Sequence, residues 1–175
     1  MSVHQPSSIK GQSWKNVRGK LASMAALDKL TWFGVGGPSE WLFEPADTQD
    51  LVFLLQNCPN EIPIHVLGAG SNTLVRDGGI KGITIKLNGL FTQITFESPN
   101  KIIAGAGASD AEVARFAASK EIAGLEFLIG IPGTIGGGLR MNAGANGGEF
   151  KDVLERAFAI DRNGIQHVVG ASDLG

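Results

Sequence analysis

The amino-acid sequence predicts a fold that combines strands and helices around several glycine-rich loops. Residues 83–87 alternate between apolar and polar side chains, which is typical of a half-buried strand. Residues 51–55 instead place leucine and valine at the spacings of one helix face. The 25 glycines among 175 residues cluster between such apolar segments, and this arrangement indicates many tight turns and close main-chain contacts.

Composition and charge argue against several classes of protein. The chain is 43% hydrophobic, so it can bury a core, and its net charge of −2 argues against a general nucleic-acid-binding protein. No apolar run approaches the roughly 18 residues that a membrane-spanning helix needs. The single cysteine, Cys58, cannot form an internal disulfide, which fits a reducing compartment. We therefore expect a cytoplasmic protein that binds neither nucleic acid nor membrane, and no sequence motif for a metal site is present.

The first half of the chain predicts one helix and then a β-α-β unit. Apolar residues recur at helical spacings between residues 13 and 26, so we expect a short amphipathic helix in an N-terminal extension of residues 1–29. Residues 40–43 and 62–67 form candidate strands on either side of a second helix.

Capping residues mark the ends of two predicted helices. Asp47 or Thr48 can cap the helix of the β-α-β unit, and Pro59 ends it, so that the cysteine before Pro59 becomes a small apolar residue at a helix end. Ser109 begins a later helix, with Glu112 at the spacing of a capping box.

The second half of the chain predicts further strands. Residues 91–96 alternate in polarity, and residues 102–103 are apolar. Residues 154–160 and 166–169 are expected to pair as a hairpin, because the Asn-Gly dipeptide at residues 163–164 is a strong hairpin signal.

A glycine-hinged loop follows the candidate strand at residues 62–67. The segment reads LGAGSNT, and a buried strand that leads into such a loop can present main-chain N–H groups to a phosphate. Glycine permits a positive φ and a close approach of the ligand, while Ser71, Asn72 and Thr73 add neutral donors. We predict that this loop binds a nucleotide diphosphate; an ordinary tight turn between two strands is the alternative.

Three loops partly match the dinucleotide-binding fingerprint, but none completes it. The sixth position of G-x-G-x-x-G is Ser39, Thr73 or Asp110, and Asp110 is expected to direct a negative charge toward a pyrophosphate. A Rossmann site is therefore disfavoured. Taken together, uncharged loops are compatible with FAD, whose diphosphate can be held by amides and hydroxyls.

The stretch at residues 124–150 holds nine glycines and few charges, and it predicts a buried, irregular wall with a helical turn near residues 135–141. Residues 129–138 could pack against an isoalloxazine ring, and a core turn without chemical function is the alternative. Arg140 is the cation beside this wall whose position suggests a role. An arginine that faces solvent or pairs with Glu149 is the alternative.

Three segments in this order, TWFGVGGPSEWLFEP, VLGAGSNTLVRDGGIKG and GLEFLIGIPGTIGGGLRMNAGANGGE, resemble the UDP-N-acetylenolpyruvoylglucosamine reductase family. These are bacterial flavoenzymes of peptidoglycan precursor synthesis. The resemblance runs from about Leu30 to the last residue. Each motif alone is weak, whereas the combination is highly specific.

The resemblance implies an α+β fold, namely the FAD-binding domain of the vanillyl-alcohol-oxidase (PCMH) type, in which two α+β subdomains clasp the cofactor. This domain would span residues 30–175, with subdomains at about 30–89 and 90–175, the second incomplete at its C-terminal end. The resemblance also implies that the chain is truncated and lacks the separate substrate domain of the family.

The resemblance implies four groups of site residues. The diphosphate would be held by Gly68, Ala69, Gly70, Ser71, Asn72 and Thr73. The flavin would be lined by Gly130, Ile131, Pro132, Gly133 and Thr134. Close packing beneath the flavin would be allowed by Gly136 and Gly137, and the segment from Asn142 to Gly144 would lie near the substrate side. We add Arg140 to the substrate side because of its position beside the glycine-rich wall.

The resemblance further implies a reaction in which NADPH reduces FAD, and hydride then passes to UDP-N-acetylglucosamine enolpyruvate to give UDP-N-acetylmuramate. The family's catalytic arginine in a Tyr-Arg motif, its serine or cysteine proton donor and its glutamate are expected beyond Gly175, so no catalytic residue is assigned here. We expect the chain to be inactive alone. Another FAD oxidoreductase with the same cofactor fold and a non-catalytic nucleotide-binding module are the alternatives.

Overall fold

The structure is a computed structural model, and it describes residues 17–171. Its largest sheet contains strands β1 (Lys20–Ala25), β2 (Ser39–Glu44), β3 (Ile64–Val66) and β4 (Ile80–Ile85). The strands lie in the order β1-β2-β4-β3, with β1 antiparallel to β2 and the other neighbours parallel. The predicted β-α-β unit is therefore present, with β4 inserted between its two strands.

The predicted N-terminal helix is wrong over its last residues, because Lys20–Ala25 forms strand β1. Two main-chain N–H groups just before it, those of Arg18 and Gly19, donate to the buried Asp50 carboxylate at 2.8 and 2.7 Å. These bonds and the pairing with β2 favour extended backbone over the weak helical periodicity of the segment. Residues 13–16 of that predicted helix lie outside the described residues.

Helix α1 (Thr48–Asn57) packs on the sheet and begins where the sequence predicted. The Asp47 side chain caps it by accepting the Asp50 main-chain N–H at 2.9 Å. Cys58 follows the last helical residue and is buried, as predicted. The first core is built from α1 and sheet side chains: Phe43, Leu51, Leu54, Leu55, Cys58, Ile83 and Ile85.

The second half of the described chain begins with the hairpin β5 (Ile94–Ser98) and β6 (Lys101–Ala104). The expected strand at residues 91–96 starts later, since Gly89–Thr92 forms a 3-10 turn. Helix α2 (Asp110–Ser119) follows, with the Ser109 hydroxyl accepting the Glu112 N–H at 3.4 Å.

Short elements complete the glycine-rich stretch. Helix α3 (Ile135–Arg140) confirms the predicted helical turn, and the two-residue strands β7 (Gly144–Ala145) and β8 (Gly148–Glu149) lead into α4 (Phe150–Val153). The second core combines α2 with this stretch through Ala108, Val113, Ala114, Phe127, Leu128 and Phe150. In the part of the chain that the structure describes, no helix is long and apolar enough to cross a membrane.

The predicted terminal hairpin is present as β9 (Arg156–Ile160) and β10 (Gln166–Gly170). Its turn contacts the end of α1 through Arg162, whose Nη2 donates to the carbonyl oxygen of Pro59 at 2.7 Å and to that of Cys58 at 3.3 Å. A cation at the carboxyl end of a helix also opposes the negative pole of the helix dipole. Arg162 therefore joins the hairpin to the first core.

Two predicted burial patterns are wrong. Strand β3 is at the edge of its sheet and not buried, since the Val66 side chain is 71% exposed. Residues 129–137 are exposed or half-buried, so this part of the predicted buried wall lies at the surface. An edge strand has a neighbour on one side only, and apolar composition alone does not reveal which strand takes that place.

We expect that replacing Arg162 with alanine lowers the free energy of unfolding by about 2 kcal/mol, because main-chain carbonyls at the end of α1 lose a charged donor. The matched control is Arg156→Ala, which removes an exposed ion pair with Glu97 at 3.4 Å and should cost less than about 1 kcal/mol. Urea unfolding of both variants measures the difference. Equal losses would contradict a specific role for Arg162.

Candidate cofactor site

The two glycine-rich segments singled out in the sequence meet in the fold. A Cβ placed on Gly68 would lie 2.7 Å from the Thr134 hydroxyl oxygen, so the two loops touch where Gly68 lacks a side chain. Thr134 also forms an isolated bridge with Ser109, at the start of α2. The loop after β3, the loop before α3 and the first turn of α2 therefore share one region.

A cleft of about 480 Å³ opens in this region. This volume is within the range of about 300–1,000 Å³ that is usual for cofactor and small-molecule sites. None of its lining residues is charged, and they are Trp32, Ala69, Ser109, Ala111, Ile129, Gly130, Ile131, Pro132, Gly133 and Thr134. The cleft thus offers main chain, two hydroxyls and apolar side chains to a ligand.

Gly70 fixes the loop after β3 to the segment before β2. Its φ is +70°, and a Cβ at this position would collide with the Leu30 carbonyl oxygen and lie 2.9 Å from the Thr31 Cα. The Trp32 N–H donates to the Gly70 carbonyl at 3.1 Å. Any side chain at Gly70 would therefore strain the backbone and separate two segments that are in direct contact.

Lys86 binds the same loop through a main-chain carbonyl. Its ammonium group donates to the Gly68 carbonyl at 2.8 Å. Burial lowers the pKa of Lys86 from its ordinary value, and the nearby Glu44 carboxylate partly opposes this effect. The sequence interpretation missed this residue, because Lys86 looked like one polar position of an alternating strand.

Asp110 does not direct its charge into the cleft, which corrects the expectation from the sequence. The side chain is fully buried, and a Cβ on Gly133 would lie 2.5 Å from Asp110 Oδ2. Neither carboxylate oxygen has a hydrogen-bond partner among residues 17–171. Burial raises the pKa of Asp110 to about 6. The first residue of α2 therefore lies behind Gly133 as an acid that resists ionisation.

The predicted flavin-facing residues and the predicted diphosphate residues differ in how they meet the cleft. All five residues at 130–134 line it, whereas within residues 68–73 only Ala69 does. In the latter segment Gly70 is buried and Asn72 is exposed. Of the glycines expected beneath the flavin, Gly136 packs against Ala106, where a Cβ would be 3.0 Å from its neighbours.

The two predicted substrate-side residues are not cleft residues. The Asn142 amide donates to the Glu149 carboxylate at 2.9 Å and accepts the Lys151 main-chain N–H at 3.0 Å. Glu149 also pairs with the Lys151 ammonium at 2.5 Å. Arg140 is exposed at the end of α3. Asn142 therefore organises the turn after α3, and Arg140 faces solvent.

A second groove of about 540 Å³ lies at the carboxyl end of α1, lined by residues 55–60, Arg162 and Asn163. Its cation, Arg162, already binds main-chain carbonyls. The groove contains none of the glycine-loop residues. The uncharged cleft is therefore the better candidate for a cofactor site.

Comparison with known protein families identifies the class of protein to which this chain belongs. Residues 39–170 match the model of a family described as the FAD binding domain, so this chain belongs to the FAD binding domain family. This membership establishes FAD as the cofactor of the fold. The lining of the cleft fits that group, since the planar, uncharged isoalloxazine suits apolar side chains and main-chain donors.

The particular relatives are reductases. The chain is 53% identical over 159 residues to the UDP-N-acetylenolpyruvoylglucosamine reductase of Bradyrhizobium sp. (strain ORS 278), which covers 90% of this chain and 52% of the relative. The crystal structure of UDP-N-acetylenolpyruvylglucosamine reductase (MurB) from Thermus caldophilus superposes with a TM-score of 0.73 at 34% identity, covering 89% of this chain and 53% of that one. The chain spans about half the length of the curated relatives it matches.

The fold class predicted from the resemblance is confirmed. A VAO-type flavoprotein from Myceliophthora thermophila C1 superposes with a TM-score of 0.55 at 15% identity, covering 75% of this chain and 26% of that one. At this identity the likeness concerns the fold alone. The expected resemblance to the reductase family is also confirmed by the relatives.

We expect the Asp110→Asn variant to gain stability over the native chain as pH rises from about 4 to about 7. The Asp110 carboxyl has a pKa of about 6 in the folded chain and 3.8 ordinarily, so between these values the folded chain binds a proton that the unfolded chain has released. The free energy of unfolding of the native chain therefore falls as pH rises through this window. Asparagine removes that dependence, and the difference between variants should grow by about 2–3 kcal/mol.

Urea unfolding at several pH values measures this difference. The control is Asp77→Asn, which makes the same substitution at an exposed carboxylate. A flat difference for Asp110→Asn would show that the Asp110 carboxyl is solvated or paired.

We expect Lys86→Met to lower the free energy of unfolding by about 1–2 kcal/mol, because the Gly68 carbonyl loses a charged donor. The variant should also weaken FAD binding, since the loop after β3 loses its support. Lys81→Met, at an exposed position on β4, is the control and should change neither quantity. Urea unfolding and calorimetric titration with FAD check both expectations, and equal behaviour of the two variants would refute them.

Proposed function

We propose that this chain is the FAD-binding part of an NADPH-dependent reductase that converts UDP-N-acetylglucosamine enolpyruvate to UDP-N-acetylmuramate during synthesis of peptidoglycan precursors. The observation that carries the proposal is the uncharged cleft between two glycine-rich loops, in a chain 53% identical to an enzyme named for that substrate. NADPH and a UDP-sugar are the small molecules that the complete enzyme would bind.

The proposed roles of the site residues follow from their chemistry. Main-chain amides and hydroxyls would bind the diphosphate from Gly68, Ala69, Gly70, Ser71, Asn72 and Thr73. The flavin would lie along Gly130, Ile131, Pro132, Gly133 and Thr134, which supply main-chain groups and apolar contact. Bound FAD would supply hydride transfer.

We also propose roles for four more residues, two beneath the flavin and two on the substrate side. Gly136 and Gly137 allow the start of α3 to pack closely, as the approach of Gly136 to Ala106 illustrates. Asn142 would act through the turn that it stabilises with Glu149. Arg140 is exposed, so it could contact only an anionic group that lies at the protein surface.

Catalysis is expected to need groups that this chain does not contain. The chain has no tyrosine, so the Tyr-Arg motif of the reductase family is not among its 175 residues. A transition state that develops negative charge without its electrostatic partner commonly loses on the order of 10²–10³ in rate. We propose that this chain binds FAD but does not turn over the UDP-sugar by itself.

The test is titration of the purified chain with FAD. One FAD per chain is the expected stoichiometry, with the visible absorption of bound flavin, and NADPH with the UDP-sugar should give no sustained turnover. Gly70→Val serves as the control, because a branched side chain at a positive φ should disrupt the loop. A folded native chain, judged by circular dichroism, that takes up no FAD would overturn the proposal.

A further inference from the structure

Trp32 is exposed in a way that is unusual for its residue type. Tryptophan is among the most buried side chains on average, yet Trp32 is 66% exposed. It lines the cleft together with Ile129 and Pro132, which are also exposed. A large aromatic surface is therefore presented to the cavity rather than to either core.

The main chain of Trp32 is held in place, although its side chain is not packed in a core. Its N–H donates to the Gly70 carbonyl at 3.1 Å, and the turn continues as the Gly34 N–H donates to the Thr31 carbonyl at 3.2 Å. Gly70 in turn lies directly against residues 30–31. The glycine loop therefore positions the indole at the cleft.

The chemistry of the cleft limits what the indole can bind. The lining residues carry no charged side chain, so a cation is not the ligand that they favour. An aromatic face in an uncharged site interacts best with another planar ring, by offset stacking. Trp41, the other tryptophan in residues 17–171, is half-buried in β2 and packs against the first core, so it is not available for this role.

We propose that the Trp32 indole stacks on a planar heteroaromatic ring of the bound cofactor and is thus a binding residue for it. The inference rests on the proposed function, which supplies FAD as the ligand. FAD carries two such rings, isoalloxazine and adenine, and both have the π face that stacking requires. The resemblance drawn from the sequence assigned no role to Trp32.

The experiment measures FAD affinity by calorimetric titration for the native chain, Trp32→Ala, Trp32→Phe and Phe33→Ala. Trp32→Ala should weaken binding about tenfold or more, as expected when a stacking partner is removed. Trp32→Phe keeps an aromatic face and should stay within about threefold of the native chain. Phe33→Ala is the matched control, since Phe33 is the neighbouring exposed aromatic, at 59%, and does not line the cleft.

Two partial ligands identify the ring. Of the two rings of FAD, FMN carries only the isoalloxazine and ADP carries only the adenine. Weakened binding of FAD and FMN by Trp32→Ala assigns the stack to the flavin, and weakened binding of FAD and ADP assigns it to adenine. Either result supports the inference.

An effect of Trp32→Ala no larger than that of Phe33→Ala, with the native chain binding FAD, would overturn the inference and leave the proposed function intact. Failure of the native chain to bind FAD would overturn both. Thermal unfolding should give the same midpoint for all four proteins within a few degrees, because both substituted side chains are exposed. If Trp32→Ala does not fold, a folded Trp32→Phe that binds FAD more than about threefold more weakly than the native chain would count against stacking.

Discussion

Close packing at two glycines, one against a side-chain hydroxyl and the other against main chain, is the constraint on which the cleft depends. Gly68 approaches the Thr134 hydroxyl, and Gly70, at positive φ, lies against residues 30–31. A Cβ at Gly70 would push apart main-chain segments that are distant in sequence, and a Cβ at Gly68 would displace the Thr134 side chain. The small distance between these segments gives the cleft its shape, and the absence of side chains there lets a ligand approach peptide groups.

Each wall of the cleft is anchored in a separate apolar cluster. Leu67 and Val75, which flank the glycine loop, pack in a small core with Leu27, whereas Ile131 packs on the core around α2. Two ionisable side chains, Lys86 and Asp110, lie outside the cleft lining. The Lys86 ammonium group donates to the Gly68 carbonyl in the loop after β3. Burial raises the pKa of Asp110 to about 6, and its carboxyl lies against Gly133. The uncharged surface of the cleft is thereby supported by two ionisable side chains that do not line it.

The features that the sequence alone determined are those written in neighbouring residues. Asp47 and Ser109 accept N–H groups within the first turn of their own helices, and the Asn-Gly turn closes a hairpin between adjacent strands. Such signals depend on local geometry and are legible without the rest of the chain. The combination of glycine motifs likewise carried the family resemblance, which implied an α+β FAD-binding fold that the comparisons confirm.

Only the tertiary structure decided which residues meet across long separations. Lys20–Ala25 forms a strand because it pairs with β2 and because the Asp50 carboxylate binds the main chain just before it. Strand β3 is exposed because it lies at the edge of the sheet. The burial of Asp110 and the exposure of Trp32 depend in the same way on contacts with Gly133 and Gly70. Burial and partnership are properties of the packed chain, and a side chain's own chemistry does not specify them.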